Sequence, residues 1–303
     1  MKATPAKWSR PPLGENAAVG AAFAALCTAA LAQVAANAPG VAHGDDPEYL
    51  HQLRVGLRRL LSAMRSFRPL LKRTRAKAVA RPLREAMQVF GAARDRDVFI
   101  ATLQRARASP ALRSSAERQR AGLAEQAQIH AGSEEFHGAQ RAVLRWLEDA
   151  PWRSAAEPDE PLIGFARAAL ARAHRKLVKR ARGIDWRDGE RRHAVRIALK
   201  RLRYGCDFFA GCFPARAVEP FLRRLGKLQD TLGELNDIAV AHALLAELAG
   251  NGDPVRRWLA RREQALIASL ATDWTAFERL PQYWQAPARR ARRRTPRASA
   301  TRA

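Results

Sequence analysis

The stretches HQLRVGLRRL (51–60) and HAVRIALKRL (193–202) place a histidine, basic residues and apolar residues in the same order. They lie 142 positions apart, and the same offset pairs further residues without a gap. These pairs include Phe23 with Phe165, Phe67 with Phe209, Leu83 with Leu225, Gly91 with Gly233, and Asp95 with Asp237. A single register that includes histidine and glycine predicts an internal duplication, so we interpret the chain as two copies of one unit.

Each stretch has two distinct faces when it is drawn as an α-helix at about 100° per residue. Apolar residues form one face, with Leu53 and Leu57 in the first copy and Val195 and Leu199 in the second. The opposite face consists of His51, Arg54, Arg58 and Arg65 in the first copy, and of His193, Arg196, Lys200 and Arg203 with Tyr204 in the second. The apolar face predicts packing on a core, and the basic face is expected to point outward.

The composition favours an all-α protein that binds a polyanion. Apolar residues make up 47% of the 303 residues, which is enough for a sizeable core, and alanine, leucine and arginine predominate over β-branched residues. The formal net charge of +25 would attract nucleic acid, anionic lipid or inorganic polyphosphate. The alternative is an ordinary solvated basic surface.

Most of the chain between its two ends is expected to be helical. The predicted segments are 15–37, 46–68, 72–92, 95–107, 112–131, 133–149, 161–182, 189–212, 216–235, 237–249 and 254–275. Proline and glycine separators, such as Pro39-Gly40 and Pro110, set these bounds.

The predicted organisation is one of two bundles with three connecting or terminal segments. In order, these are a flexible N-terminus (1–14), a first bundle (15–149), a linker (150–161), a second bundle (162–285) and a basic tail (286–303). The linker contains three prolines. Seven arginines and no acidic residue predict that the tail is disordered. The tail either adds polyanion affinity without specificity or is only solvated.

Residues 17–36 follow three basic residues and are largely apolar, a combination that also occurs in signal peptides. Larger apolar residues recur at helical spacing at Val19, Phe23 and Leu26, so an amphipathic first helix of the mature protein is preferred. No other window is long and apolar enough to span a membrane. Three cysteines without close spacing favour free thiols in a reducing compartment, so a cytoplasmic location is expected.

The basic faces carry the candidate chemistry. Like charges three or four positions apart repel each other by roughly 0.2–0.5 kcal/mol per pair. A bound anion, or carboxylates from elsewhere in the fold, would relieve this repulsion. Arginine forks match phosphate oxygens and lysine adds a mobile charge, so a linear anion with a charge on every unit fits. A neutral imidazole near each helix start could donate a hydrogen bond, and a purely structural role is the alternative.

Metal-binding and catalytic patterns do not stand out. Neither unit has His-x-x-x-His, Cys-x-x-Cys or carboxylates clustered beside its histidine, so no metal or cofactor is expected. Without a nucleophile–base pair, a Walker loop or paired carboxylates, the protein is expected not to be an enzyme. Asp95 and Asp237 are interpreted as helix caps or as partners for Arg94 and other basic groups.

The doubled His-x-x-Arg-[Val/Ile]-x-x-[Arg/Lys]-Arg-Leu helix resembles the CHAD domain, the conserved histidine α-helical domain. LGKLQDTLGELNDIAV (225–240) and its weaker echo LREAMQVFGAARDRDV (83–98) are similar to that family too. The resemblance implies two pseudo-symmetric helical bundles around a basic groove or pore. It also implies binding of inorganic polyphosphate and targeting to polyphosphate granules. No triphosphatase activity is implied, because the triphosphate-tunnel (CYTH) domain of many relatives and its Glu-x-Glu-x-Lys opening do not occur in the sequence.

Matching positions in both halves are implied to contact polyphosphate: His51, Arg54, Arg58 and Arg59, and His193, Arg196, Lys200 and Arg201. Further candidates are Arg65, Arg203, Tyr204, Arg223 and Lys227. The first half has Glu85 where the second has Lys227, so the second half is expected to make more contacts. The competing hypothesis is a nucleic-acid-associated protein, although such proteins usually place stacking aromatics among basic residues and only Tyr204 qualifies. The sequence leaves the oligomeric state open.

Overall fold

The computed structural model describes residues 4–150, 152, 160–248 and 252–285. Most of these residues form α1 (Val19–His43), α2 (Pro47–Ser66), α3 (Arg73–Arg105), α4 (Pro110–Gly132), α5 (Glu134–Glu148), α6 (Leu162–Ala181), α7 (Gly189–Phe208), α8 (Ala215–Ala246) and α9 (Asp253–Glu278). Single-turn 3₁₀ helices follow α2 and α7. The described ranges contain no β-strand, so the predicted all-α class is confirmed. The predicted tail and most of the predicted linker lie outside the described residues.

Two long helices replace two predicted pairs of shorter ones. Helix α3 covers two predicted segments, and so does α8. Gly91 and Gly233 do not interrupt these helices, because one glycine inside a helix costs only about 1 kcal/mol relative to alanine. Asp95 and Asp237 therefore lie within helices, and their interpretation as helix caps was wrong.

Equivalent helices of the two halves begin in the same register. Helices α2 and α7 each contain 20 residues, and their first residues lie 142 positions apart. The Asp46 carboxylate accepts a hydrogen bond from the Glu48 amide at 2.8 Å, and the Asp188 carboxylate accepts one from the Arg191 amide at 3.0 Å. These caps satisfy amide groups that the first helical turn leaves unpaired. The helix boundaries thus follow the repeat, and the duplication itself stays an inference from the sequence.

Four aromatic side chains join the two halves. The ring centroid of Phe67 lies 5.4 Å from that of Phe23, 4.9 Å from that of Phe165 and 5.6 Å from that of Phe209. These rings are two of the pairs that the repeat matches in sequence. Aromatic pairs of this kind add about 0.5–1.5 kcal/mol beyond the area that they bury. The joint between the halves is therefore well packed, and it supports the basic faces beside it.

Helix α1 is the most apolar of the described helices. One half of its circumference is buried, and the other half exposes mainly alanine. It continues through Pro39, where the sequence predicted a break, and ends at His43. By length and mean hydropathy (1.8) it is the one described helix that could cross a membrane, and 56% of the apolar window is buried in the bundle. A core helix and a signal sequence both meet this criterion.

Residues 4–14, which we call the N-terminal strap, contain no helix and lie against the bundle. The Asn37 side chain accepts a hydrogen bond from the Ala6 amide at 3.0 Å and donates one to the Ala6 carbonyl at 2.9 Å. The half-buried side chains of Trp8 and Leu13 pack against the apolar core. The segment that composition predicts to be flexible therefore has specific contacts with the helices.

Candidate anion-binding site

The basic faces of α2 and α7 meet at the joint between the halves. The charge of Arg58 on α2 acts on Arg196 and Lys200 of α7, and the charge of Arg54 acts on Lys200. The expectation that these faces point outward was wrong, because each helix packs its apolar face in its own half and turns the basic face to its counterpart. We call the following residues the central cluster: His51, Arg54, Arg58, His193, Arg196 and Lys200.

Burial and mutual repulsion destabilise the positive charges of the central cluster. Burial, followed by the charges of Arg196 and Arg58, lowers the pKa of Lys200 to about 7. Burial, followed by the charge of Arg58, lowers the pKa of Arg54 to about 10. Burial also lowers the pKa of Arg196. A negative ligand would stabilise the protonated form of each of these groups, so the cluster is suited to an anion.

Two carboxylates from α3 and α8 offset part of this charge. Asp95 faces Arg54 and Arg196, and Asp237 faces Arg196 and Lys200. Desolvation by the surrounding protein raises the pKa of both carboxyl groups more than these cations lower it. Carboxylates from elsewhere in the fold, one alternative left open by the sequence, are thus present. Among the described residues, these two carboxylates face four cations and Glu48 acts on His51, so the cluster keeps a positive excess.

The two histidines lie at the N-terminal side of their helices, next to the cluster cations. Burial, followed by the charge of Arg94, lowers the pKa of His51 below its usual 6.5, so its imidazole is neutral at pH 7. The Nδ1 atom of His193 lies 3.1 Å from Oδ1 of Asn236 on α8. His193 is exposed, so a ligand in solution can reach its ring.

Gly91 allows Arg54 to lie along α3. The Nη1 atom of Arg54 donates to the Met87 carbonyl at 3.4 Å, and a Cβ atom at position 91 would lie 2.8 Å from the same nitrogen. At Gly233, the equivalent position in α8, a Cβ atom would meet nothing within 4 Å. The close approach of arginine to glycine is therefore a property of the first half only.

Three predicted site residues lie apart from the central cluster, at one end of the α2–α7 pair. The Trp8 ring covers the Arg59 guanidinium at 4.7 Å, and Arg59 Nε lies 3.9 Å from an Asp207 carboxylate oxygen. Arg203 is a further charged neighbour of Arg59, and Tyr204 lies beside Arg59 as well. Protein groups therefore already engage Arg59. We call this place, formed by Arg59, Asp207 and the N-terminal strap, the closed end.

The remaining predicted residues separate into three locations. Arg65 and Arg201 line a cavity at the other end of the α2–α7 pair, and Arg223 is exposed on α8. Lys227 donates instead to Asp273 of α9, with 2.7 Å between Nζ and Oδ1. Asp273 is buried and requires a counter-charge, so Lys227 stabilises the packing of α8 on α9. Arg223 and Lys227 are both exposed on α8, and their role in polyphosphate binding stays a prediction.

Cysteine chemistry and metal binding find little support in the described part of the chain. No group of three or more histidine, cysteine, aspartate or glutamate side chains there could hold a metal ion. Cys27, Cys206 and Cys212 are buried and free, and burial raises the pKa of each thiol. None of these thiols is therefore a reactive thiolate near neutral pH.

The family model of the CHAD domain matches residues 25–246, which is most of the chain. The chain belongs to the CHAD domain family. The crystal structure of the CHAD domain from the plant Ricinus communis is similar, with a TM-score of 0.74 and 29% identity over 91% of this chain and 95% of that one. PptA from Streptomyces chartreusis has a TM-score of 0.63 at 17% identity, over 88% of this chain and 99% of that one, which shows the fold alone. No curated protein matches the chain.

Membership of the CHAD family confirms the resemblance that the doubled helix gave. The whole central cluster lies within the CHAD match. Trp8 and Arg10 lie before the match begins, so the closed end combines CHAD helices with a segment outside the matched region.

Proposed function

We propose that this CHAD domain binds inorganic polyphosphate and catalyses no reaction on it. The observation that carries the proposal is the meeting of four cations, two from each half, which outnumber the two described carboxylates that face them. Some members of the CHAD family bind polyphosphate, which supports the same ligand here. The cations lie on two helices that a packed aromatic joint supports, so little ordering is needed when a ligand binds.

The chemistry of polyphosphate matches this arrangement. Each internal phosphate unit carries one negative charge. The polyphosphate is flexible, so its successive units can contact cations of α2 and α7 in turn. Arg54, Arg58 and Arg196 provide planar forks for phosphate oxygens, and Lys200 provides a point charge. An approaching phosphate also favours protonation of Lys200, whose pKa in the free protein is about 7.

The decisive experiment is a titration with long-chain polyphosphate at physiological ionic strength. Arg196→Glu/Lys200→Glu is expected to weaken binding at least 100-fold, or about 2.7 kcal/mol, because two attractive charges become repulsive. Arg257→Glu/Arg261→Glu is the matched control, since it has the same spacing and charge change on an exposed face of α9. Equal affinities of the two variants, with unchanged circular dichroism, would contradict the proposal.

The new glutamates lie beside Asp95 and Asp237, where repulsion between carboxylates can disturb folding. A second variant therefore replaces both cations by uncharged side chains. Arg196→Gln/Lys200→Met removes the charges and keeps side chains of similar length. We expect this variant to fold and to bind long-chain polyphosphate at least tenfold more weakly than the wild type. Wild-type affinity in this folded variant would count against the central cluster as the binding site.

Single-stranded nucleic acid is the competing ligand. Stacking of a base on an aromatic side chain is worth about 1–3 kcal/mol, and the central cluster contains no Phe, Tyr or Trp. Polyphosphate is therefore expected to resist displacement by single-stranded DNA at equal phosphate concentration and moderate salt. Displacement by the DNA would favour the nucleic-acid hypothesis. Metal-dependent release of phosphate by the pure protein would instead show an enzyme.

The same proposal extends to location in the cell. Binding through the central cluster is expected to hold the protein at cytoplasmic polyphosphate granules. A fluorescent fusion of the wild type should coincide with the granules, and the Arg196→Glu/Lys200→Glu variant should be diffuse. Granule localisation of both proteins would show that another surface directs the protein there.

A further inference from the structure

A second basic site lies at the end of the α2–α7 pair opposite the closed end. A cavity of about 180 Å³ opens between α2, α6 and α7. Its cationic side chains are Arg65, Arg172, Lys176 and Arg201. Two serine hydroxyl groups, Ser62 and Ser66, join them, and alanine, glycine and Phe209 form the rest of the wall. We call this place the open end.

Among the residues that the structure describes, the lining of the open end contains no acidic side chain. The charges that act on Lys176 are those of Arg201, Arg180 and Arg65, and those that act on Arg201 include Arg65 and Arg180. All of them are positive, whereas the central cluster has two carboxylates. Cations gathered in a cavity without a counter-charge repel one another, and an anion in the cavity would relieve that repulsion.

The counterpart of this cavity in the first half is filled by the protein itself. The 142-residue offset relates Arg201 to Arg59 and Arg65 to Asp207. At that counterpart Trp8 covers Arg59, and Arg10 lies 3.8 Å from Asp207. The N-terminal strap therefore occupies one of two equivalent places. Nothing among the described residues has this role at the open end, whose cavity stays accessible.

The size and position of the cavity restrict the ligand. Its volume of about 180 Å³ is below the roughly 300–1,000 Å³ of sites for drug-sized ligands, so a compact anion fits better than a nucleotide. Arg58, Ser62 and Arg65 lie on successive turns of α2, so the open end adjoins the central cluster. The terminal unit of a phosphate chain has one more ionisable oxygen than an internal unit, and it would gain most from unopposed cations.

We propose that the open end binds the terminal units of an inorganic phosphate chain, whether a free short chain or the end of a long one. This inference rests on the proposed polyphosphate binding, and it assigns the end of the chain to one cavity. Guanidinium forks from α2, α6 and α7 surround the terminal oxygens, and the two serine hydroxyl groups of α2 can donate hydrogen bonds to them. Internal units then extend along the central cluster.

The test is calorimetric titration with tripolyphosphate. Arg172→Ser/Lys176→Ser removes two exposed cations of the cavity and is expected to weaken binding at least tenfold. Arg175→Ser/Arg182→Ser is the matched control, because it removes the same charge from exposed positions of α6 and its C-cap that do not line the cavity. The control is expected to change the affinity less than threefold. Equal weakening in both variants would overturn the inference.

Long-chain polyphosphate can be capped by esterifying its terminal phosphates. Capped chains distinguish the end of a long chain from a free short chain as the ligand of the cavity. If chain ends enter the cavity, the wild type binds uncapped chains more tightly than capped chains, and Arg172→Ser/Lys176→Ser abolishes the difference. If free short chains are the ligand, capped and uncapped chains bind alike and tripolyphosphate still requires the cavity. A wild type that binds long chains but not tripolyphosphate, with no preference for uncapped ends, overturns only this inference. A wild type that binds neither ligand overturns the proposed function as well.

Discussion

The closed end and the open end of the α2–α7 pair contain equivalent positions of the repeat, but the side chains around these positions differ. Arg59 and Arg201 occupy equivalent positions in the repeat. Arg59 meets an indole ring and the Asp207 carboxylate, whereas Arg201 has Arg65 and Arg180 as neighbours. A repeated motif therefore does not produce a repeated binding site. The residues around each copy decide whether its arginine binds protein groups or remains accessible to a ligand.

The first helix of each half explains part of this difference. Helix α1 packs closely on α2, because a Cβ atom at Gly56 would lie 2.9 Å from Val34 Cγ2 and 3.1 Å from the Ala30 carbonyl oxygen. Helix α6 carries Lys176 and Arg172 at the positions equivalent to these two small apolar residues. Small apolar side chains let α1 pack closely on α2. The charged side chains of α6 require solvent, so the cavity beside α6 stays open.

The largest expected effect comes from opening the closed end with Trp8→Ala. Loss of the half-buried indole is expected to lower the free energy of unfolding by about 2–3 kcal/mol, because its contacts with the core and Arg59 disappear. Released from the ring, Arg59 should raise the affinity for long-chain polyphosphate about two- to threefold. Urea unfolding and calorimetric titration measure the two effects.

Trp258→Ala is the control for Trp8→Ala, because Trp258 is a half-buried tryptophan on α9, far along the chain from the strap. It should reduce stability without a gain in affinity. If Trp8→Ala also leaves the affinity at or below the wild-type value, the strap does not withhold Arg59 from the ligand.

The second-largest effect is expected when the open end receives a carboxylate equivalent to that of Asp207 at the closed end. Arg65→Asp places a carboxylate at the position equivalent to Asp207 and beside Arg201. We expect tripolyphosphate to bind about 30-fold more weakly, or about 2 kcal/mol, since one cation is lost and another becomes paired. Arg216→Asp makes the same charge change on an exposed part of α8 and serves as the control. Similar losses in both variants would mean that only net charge matters.

Much of the helical architecture could be predicted from the sequence. The apolar period of 51–60 and 193–202 identified α2 and α7, and the predicted segments 46–68 and 189–212 begin within one residue of the observed helix starts. The repeat also paired the phenylalanines that meet at the joint. The continuity of α3 and α8 was missed, because a glycine lowers the local helix preference by about 1 kcal/mol and the sequence does not show that the packed helix absorbs this cost.

The neighbours of the basic residues were harder to predict. Asp95 and Asp237 reach the central cluster only because α3 and α8 run uninterrupted past it, although the repeat paired the two acids as it paired the histidines. The strap has no periodic pattern, so nothing in its sequence indicated that Trp8 would cover Arg59. The contact of Lys227 with Asp273 joins residues 46 positions apart on different helices, which local spacing does not reveal.

A smaller effect of pH should distinguish the central cluster from both ends. Burial and neighbouring cations hold the pKa of Lys200 at about 7 in the free protein, and a bound phosphate raises it. Binding therefore takes up a proton above pH 7, so the affinity for long-chain polyphosphate should fall as the pH rises, by at most about tenfold per unit. Titrations between pH 6 and pH 9 measure this slope. Lys200→Arg should flatten it, and an equal slope in the variant would assign the titration to another group.

The smallest effect compares two glycines at equivalent positions in α3 and α8. Gly91→Ala places a methyl group against the Arg54 guanidinium and should shift it, so the affinity for long-chain polyphosphate should fall about two- to threefold. Gly233→Ala adds a methyl group in open space and should leave the affinity unchanged. Both substitutions favour the helical state by about 0.5–1 kcal/mol, so thermal unfolding should show no loss of stability. Equal affinities of the two variants would mean that Arg54 binds phosphate whether or not its guanidinium is shifted. The contact with Gly91 would then have no role in binding.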